Sequence, residues 1–187
     1  SSAASDVYKR QGVDIRGTLR AAAANVSSGG VSEGASTINQ QYVKNYLWLI
    51  EAENEEEAAQ AIETSLPRKL REMKMAGDLD EKLTKDEILT RYLNLVSFGN
   101  SAFGVQAAAQ TYFGVSAEKL NDNQAAFLAG IVQSTSALNP YTNPEGAKQR
   151  RNAVLQARVT AKTLSQTKAD EIANQPLGCL LYTSDAA

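Results

Sequence analysis

Lys44, Arg68, Lys69 and Glu72 are the side chains whose types and spacing could do chemistry in this sequence. Lys44 closes the string Gly34-Ala35-Ser36-Thr37-Ile38-Asn39-Gln40-Gln41-Tyr42-Val43-Lys44-Asn45, which reads as a small-residue turn running into a helix. Thr37 and Gln40 have the Thr-x-x-Gln spacing of a capping box, so Thr37 is expected at the N-cap with Ile38 opening the helix. Open backbone N–H groups, the positive end of the helix dipole, the hydroxyls of Ser36 and Thr37 and the Lys44 ammonium then converge, a combination that suits an anion, particularly a phosphate. Gln40, Gln41 and Asn45 are expected on the same polar face as Lys44. Further along, Arg68 and Glu72 are four apart and share a helix face, with Lys69 beside them. Both groupings have a plainer reading. The first is an ordinary capped amphipathic helix with a solvated polar face, and the second is a surface ion pair worth a few tenths of a kcal/mol. Spacing alone favours the plainer reading in each case.

Composition narrows the chemistry. The chain has 187 residues, a net charge of −2, one cysteine and no histidine. Without histidine, Ser-His-Asp and Cys-His catalysis and histidine-ligated metals are excluded, leaving carboxylates, Lys, Arg, Tyr and hydroxyls. The small net charge gives no whole-molecule preference for nucleic acid, so anion binding must come from local clusters. Cys179 has no partner for an internal disulfide. No run approaches the ~18 apolar residues of a membrane span, and no signal peptide is recognisable.

The elements that must position these groups are helices. Ile38, Tyr42, Tyr46 and Ile50, helped by Val43 and Leu47, form an apolar stripe at i, i+4 spacing. Asp14 can cap a helix from Ile15 to about Val26, stopped by Ser27-Ser28-Gly29-Gly30. The run Glu51-Ala52-Glu53-Asn54-Glu55-Glu56-Glu57 suits the solvated start of the next helix. Pro67 should break that helix and restart it with Arg68 in the first turn. Leu79 to Asn94 is expected as a further helical stretch, with Thr84 a cap for Lys85 onward; Val105 to Phe113 and a buried helix from Asn123 to Gln133 follow. From Glu145 the chain returns to helix, expected to continue through Ala157 to Ala173. Strand-like alternation is scarce, so the class is all-α. The flanks, 1–11 and 179–187, lack amphipathic period and are expected to be non-native or disordered, around one domain over 12–178.

The string from Gly34 to Asn45 strongly resembles the Gly-x-Ser-Thr-Ile-Thr-Gln-Gln-x-x-Lys-Asn signature of the peptidoglycan glycosyltransferases of family 51, the glycan-polymerising domain of bifunctional class A penicillin-binding proteins; only Asn39 departs from it. Arg68-Lys69-Leu70-Arg71-Glu72 resembles the Arg-Lys-x-x-Glu motif of that family. Lys85 to Asn94 matches Lys-x-x-Ile-Leu-x-x-Tyr-Leu-Asn, and Arg150 to Leu155 resembles Arg-x-x-x-Val-Leu. The resemblance implies a partial, lysozyme-like helical domain with a small membrane-facing jaw lobe.

It also implies an activity: polymerising lipid II into glycan strands with release of undecaprenyl pyrophosphate. Arg68, Lys69 and Lys44 would then be the cations for the leaving group. Ser36, Thr37, Gln40, Gln41 and Asn45 would orient phosphate and sugar, and Glu72 would position the donor or a divalent ion (Mg or Mn). The implied partners are lipid II, the nascent glycan chain, the extracytoplasmic face of the bacterial membrane and other cell-wall synthesis proteins, and no nucleic acid. The first motif, Glu-Asp-x-x-Phe-x-x-His-x-Gly, would place its catalytic Glu at Ala3, its Asp at Ala4, its Phe at Val7 and its His at Arg10, none of which matches. The expectation is a domain cut inside that motif, with a substrate groove and little turnover; the alternative is a non-catalytic helical cell-wall binding module using the same groove. A lysozyme-like hydrolase is disfavoured, because it needs a protonated carboxylic acid in an apolar setting and Glu72 has cations for neighbours.

Overall fold

A computed structural model of the chain describes residues 13–28, 38–63 and 65–180, with the backbone alone at 25–28. The described residues are all-α, with nine α-helices, a π-helical turn and a short 3₁₀ turn. An isolated antiparallel bridge joins Ser97 to Phe103. The chain divides into two compact units, Ser1–Val31 with Ser97–Ala187, and Ser32–Val96.

In the larger unit, α1 (Ile15–Ser28) opens where Asp14 accepts a hydrogen bond from the Gly17 N–H at 2.9 Å, the cap expected from the sequence. Helix α6 (Val105–Phe113) ends at Gly114, whose φ of 66° is the left-handed C-cap conformation that glycine adopts without strain. Helix α7 (Asp122–Ile131) starts from an Asn121/Gln124 capping box, and every residue from Ala125 to Ile131 is buried. It is the core of the unit, with α1 and α8 (Pro144–Thr160) packed on it and on each other. Phe127 meets Tyr112 and Phe113 edge-on, the favoured geometry for aromatic pairs.

The continuous helix expected through Ala157 to Ala173 is in fact two. Helix α8 stops at Thr160, Lys162 turns through φ 59°, and α9 (Gln166–Ala173) restarts where Ser165 Oγ accepts the Lys168 N–H at 3.2 Å. The serine cap satisfies an N–H that a continuous helix would have paired with a carbonyl, so the break costs little.

The smaller unit contains α2 (Ile38–Tyr46), α3 (Glu55–Ile62), α4 (Leu66–Lys82) and α5 (Lys85–Leu95), with α2 packed against both α4 and α5. Each boundary has a local cause. Asn54 caps α3 through the Glu57 N–H, Ser65 caps α4 ahead of Pro67, and Thr84 and Glu87 form a reciprocal capping box on α5. Leu79 lies within α4, and Leu83 is its C-cap, so the stretch read as one helix from Leu79 is the end of one and the start of the next.

The apolar stripe of α2 also ends earlier than its spacing suggests. Tyr42 and Val43 are buried, but Ile50 is 58% exposed. From Leu47 to Glu51 the chain winds as a π-helical turn, with the Ala52 N–H bonded to the Leu47 carbonyl five residues back at 3.0 Å. The wider turn throws the i, i+4 register out of phase after Tyr46.

Candidate functional site

Helix α2 presents its polar side chains as two rows, and the two rows meet different neighbours. Gln40 faces α4, where Lys69 Nζ donates to its Oε1 at 3.3 Å. Lys69 Nζ also lies 3.8 Å from Glu72 Oε2, while Arg68 Nη1 donates to Glu72 Oε1. Gln40, Lys69, Glu72 and Arg68 therefore form one continuous chain of contacts across the α2–α4 packing. Helix α4 sets this arrangement: Ser65 accepts the Arg68 N–H, and the next turn brings Glu72 under Arg68. Glu72 is only 1% exposed, so its charge is compensated inside the protein rather than by water.

Gln41 belongs to the other row. The Tyr92 hydroxyl on α5 donates to Gln41 Oε1 at 2.8 Å, and Asn45 Nδ2 bonds back to the Gln41 carbonyl at 2.8 Å. The single polar face expected for Gln40, Gln41, Lys44 and Asn45 is thus divided. The correction has a simple geometric source: successive residues on a helix are about 100° apart, so Gln40 and Gln41 can touch different partner helices. Lys44 stands half-buried one turn beyond Gln40 and makes no ion pair with any described residue. The Ser36 and Thr37 expectations, including the Thr37 cap, lie outside the described residues.

Arg68 has a donor to spare. Its Nε is buried and has no hydrogen-bond partner, although buried N–H groups are normally paired. The same side chain borders a groove of about 400 Å³ walled by Leu47, Ala52, Ala61 and Pro67, with Arg71 and the acidic residues Glu51, Glu57 and Glu63 also lining it. The Gln40–Lys69–Glu72–Arg68 contacts hold two cations against one anion, with a buried carboxylate that fixes one guanidinium and one unused N–H, whereas the groove beside them carries three glutamates and two arginines. Chemically, that arrangement can accept anionic oxygens.

A divalent ion does not fit these residues. Both Glu72 oxygens face cations, and no group of three or more Asp, Glu, Cys or His among the described residues could hold a metal. Tyr92 is the member that sequence reasoning missed. The available signal was a tyrosine hydroxyl on a helix face that becomes buried, which requires a hydrogen-bond partner.

Residues 4–159 match the transglycosylase family model. The chain belongs to the transglycosylase family. The chain is 37% identical over 170 residues to penicillin-binding protein 1A of Neisseria gonorrhoeae, covering 91% of this chain and 20% of that protein. It is 35% identical over 180 residues to penicillin-binding protein 1A of Escherichia coli strain K12, covering 96% and 20% respectively. The 2.6 Å crystal structure of penicillin-binding protein 1A from Haemophilus influenzae has a similar fold, with a TM-score of 0.50 and 24% identity over 83% of this chain and 19% of that one. The chain spans about a fifth of the length of these relatives. Among its described residues no helix is long and apolar enough to cross a membrane.

Proposed function

We propose that this transglycosylase chain grips the diphosphate of a lipid-linked sugar donor and that its parent activity is the polymerisation of lipid II into glycan strands. The observation that carries this reading is the Gln40–Lys69–Glu72–Arg68 chain of contacts, with its surplus of positive charge and the unused Arg68 Nε. In the reaction the 4-hydroxyl of one sugar attacks C1 of another, and undecaprenyl pyrophosphate departs with inversion. A pyrophosphate leaving group needs cations more than a proton donor, whereas the attacking hydroxyl needs a base. Arg68, Lys69 and Lys44 are assigned to the first task. Glu72 holds Arg68 in place, and Ser36, Thr37, Gln40, Gln41 and Asn45 orient phosphate and sugar. No step is routed through a metal.

The base is a different matter, because Ala3 stands where the family resemblance puts the catalytic Glu. The reading is therefore strong binding with weak turnover, at the extracytoplasmic face of a bacterial membrane, in a lysozyme-like domain with a jaw lobe and alongside other cell-wall synthesis proteins. The same alanine favours the second reading, a binding module that never turns over. Incubating the chain with lipid II tests both: binding with slow polymer growth supports the first, and binding with no polymer supports the second. Polymerisation at the rate of a relative that carries that Glu would refute the assignment of the base, and absence of binding would refute both.

A further inference from the structure

We infer that the groove beside Arg68 is a peptide subsite, taking a short peptide that carries both an ammonium and a carboxylate. This rests on the function proposed above, whose lipid-linked donor bears such a peptide on the sugar that carries the diphosphate. The groove encloses about 400 Å³, within the range of about 300–1,000 Å³ usual for small-molecule sites. Its lining carries opposite charges on separate elements. Glu51 ends the π-helical turn, Glu57 lies in the first turn of α3 and Glu63 is the C-cap of α3, whereas Arg68 and Arg71 stand three residues apart on one face of α4. No ion pair joins the two sets.

Those charges are largely unpartnered. The carboxylates of Glu51 and Glu63 and the Arg71 guanidinium have no hydrogen-bond or ion-pair partner among the described residues, whereas Glu57 Oε2 already accepts the Glu53 N–H at 3.0 Å. Opposite charges set too far apart to pair are bridged by one ligand that brings the complement of each. A simple anion would meet the glutamates and a simple cation the arginines, so a zwitterion is the species that both sets attract. Leu47, Ala52, Ala61 and Pro67 make the rest of the lining apolar, which suits methyl side chains between the two charged ends. The π-helical turn that supplies Leu47 and Glu51 agrees with a binding role, since such wide turns are frequent at functional sites.

The test titrates Nα-acetyl-L-lysyl-D-alanyl-D-alanine into the full chain and follows the backbone amide resonances around the groove, where saturable shifts are expected. Because Glu51, Glu63 and Arg71 are exposed, each charged contact should be worth only about threefold to fivefold in affinity. Acetylating the probe's Nε should weaken binding by that factor in the parent chain. The same acetylation should have less than about a 1.5-fold effect once Glu51→Gln and Glu63→Gln are combined, because the carboxylates that met the ammonium are gone. Amidating the probe's carboxylate should likewise weaken binding in the parent chain and matter less in Arg71→Gln. Substitutions at these exposed positions leave the fold intact. No saturable shift by about 10 mM probe, or losses that do not depend on which charge the probe lacks, overturns the inference.

Farnesyl diphosphate, a soluble probe carrying the donor's anionic group, separates this from the underlying function. If it binds and the peptide does not, only the peptide subsite fails; if the peptide binds with the expected charge dependence and farnesyl diphosphate does not, the subsite stands and the diphosphate reading falls. Glu63→Gln should leave the affinity for farnesyl diphosphate within about twofold. A loss as large as that from Arg68→Ala would mean one undivided site and would overturn the separate subsite.

Discussion

Fully buried Arg151 in the larger unit and half-buried Arg68 in the smaller one differ in what they leave undone. Arg151 in the larger unit is fully buried, and its guanidinium is saturated. Nη1 donates to Asn123 Oδ1 and to the Gln175 and Pro176 carbonyls at 2.9, 2.9 and 3.2 Å; Nη2 donates to the Ala173 carbonyl at 3.2 Å, and Nε to Asn152 at 3.0 Å. It ties the end of α9 to α7 and α8. Arg68 in the smaller unit pairs with Glu72 at one end, borders a groove and keeps a buried N–H without an acceptor. A structural arginine uses its donors within the fold, whereas one held for a ligand keeps a donor unspent. The second arrangement lowers stability slightly and makes sense only if something else completes it.

The largest expected effect lies on the structural side. Arg151→Ala strips the Ala173, Gln175 and Pro176 carbonyls of their donor at a fully buried position, and should destabilise the larger unit by about 3–5 kcal/mol, read by chemical denaturation. A loss below about 1 kcal/mol would erase the contrast. Glu72→Gln comes next, at roughly 2 kcal/mol, because it leaves the Arg68 charge without its counter-charge in a nearly dry setting. Lys69 contributes little to that figure, since its side chain is 38% exposed and screened by solvent.

Much of this fold was legible because it is written locally. The Asp14 cap, the restart at Pro67 and the Thr84 cap each depend on residues within a few positions, and all three are where the sequence placed them. The misses involve neighbours distant in sequence or a change of winding. Nothing in Leu47-Trp48-Leu49-Ile50-Glu51 announces a π-helical turn. Gln40 and Gln41 look equivalent until α4 and α5 claim one each. Adjacent arginines were equally opaque: the motif pointed to Arg150, which reaches the Gly130 and Ala22 carbonyls at 3.4 Å, while Arg151 carries the denser network.

Smaller effects sharpen the picture at its edges. Thr84→Ala should cost about 1 kcal/mol by removing half of a capping box, measurable as a fall in denaturation midpoint. The same cap has a pH signature. The Thr84 backbone N–H, followed by its hydroxyl, holds the Glu87 carboxyl below its ordinary pKa. A depressed carboxylate stabilises above its unfolded pKa, and that contribution fades as pH falls through the lowered folded value. Acid titration should therefore loosen α5 in the parent protein and show a smaller pH dependence in Thr84→Ala.

Cys179 offers a last, kinetic check on the saturated unit. Burial pushes its thiol up to about 11, and the neighbouring Leu180 N–H is bonded to the Tyr112 carbonyl at 2.7 Å. Alkylation by iodoacetamide at pH 8 should be about a hundredfold slower than for a free cysteine and should accelerate on unfolding.

The central claim is that Arg68 is held ready for an anionic oxygen, and calorimetric titration of farnesyl diphosphate into the parent chain and Arg68→Ala tests it most directly. Binding to the parent chain, weakened at least about tenfold in the variant, is the predicted result. Equal affinity of the two proteins, or no binding to either, would contradict it.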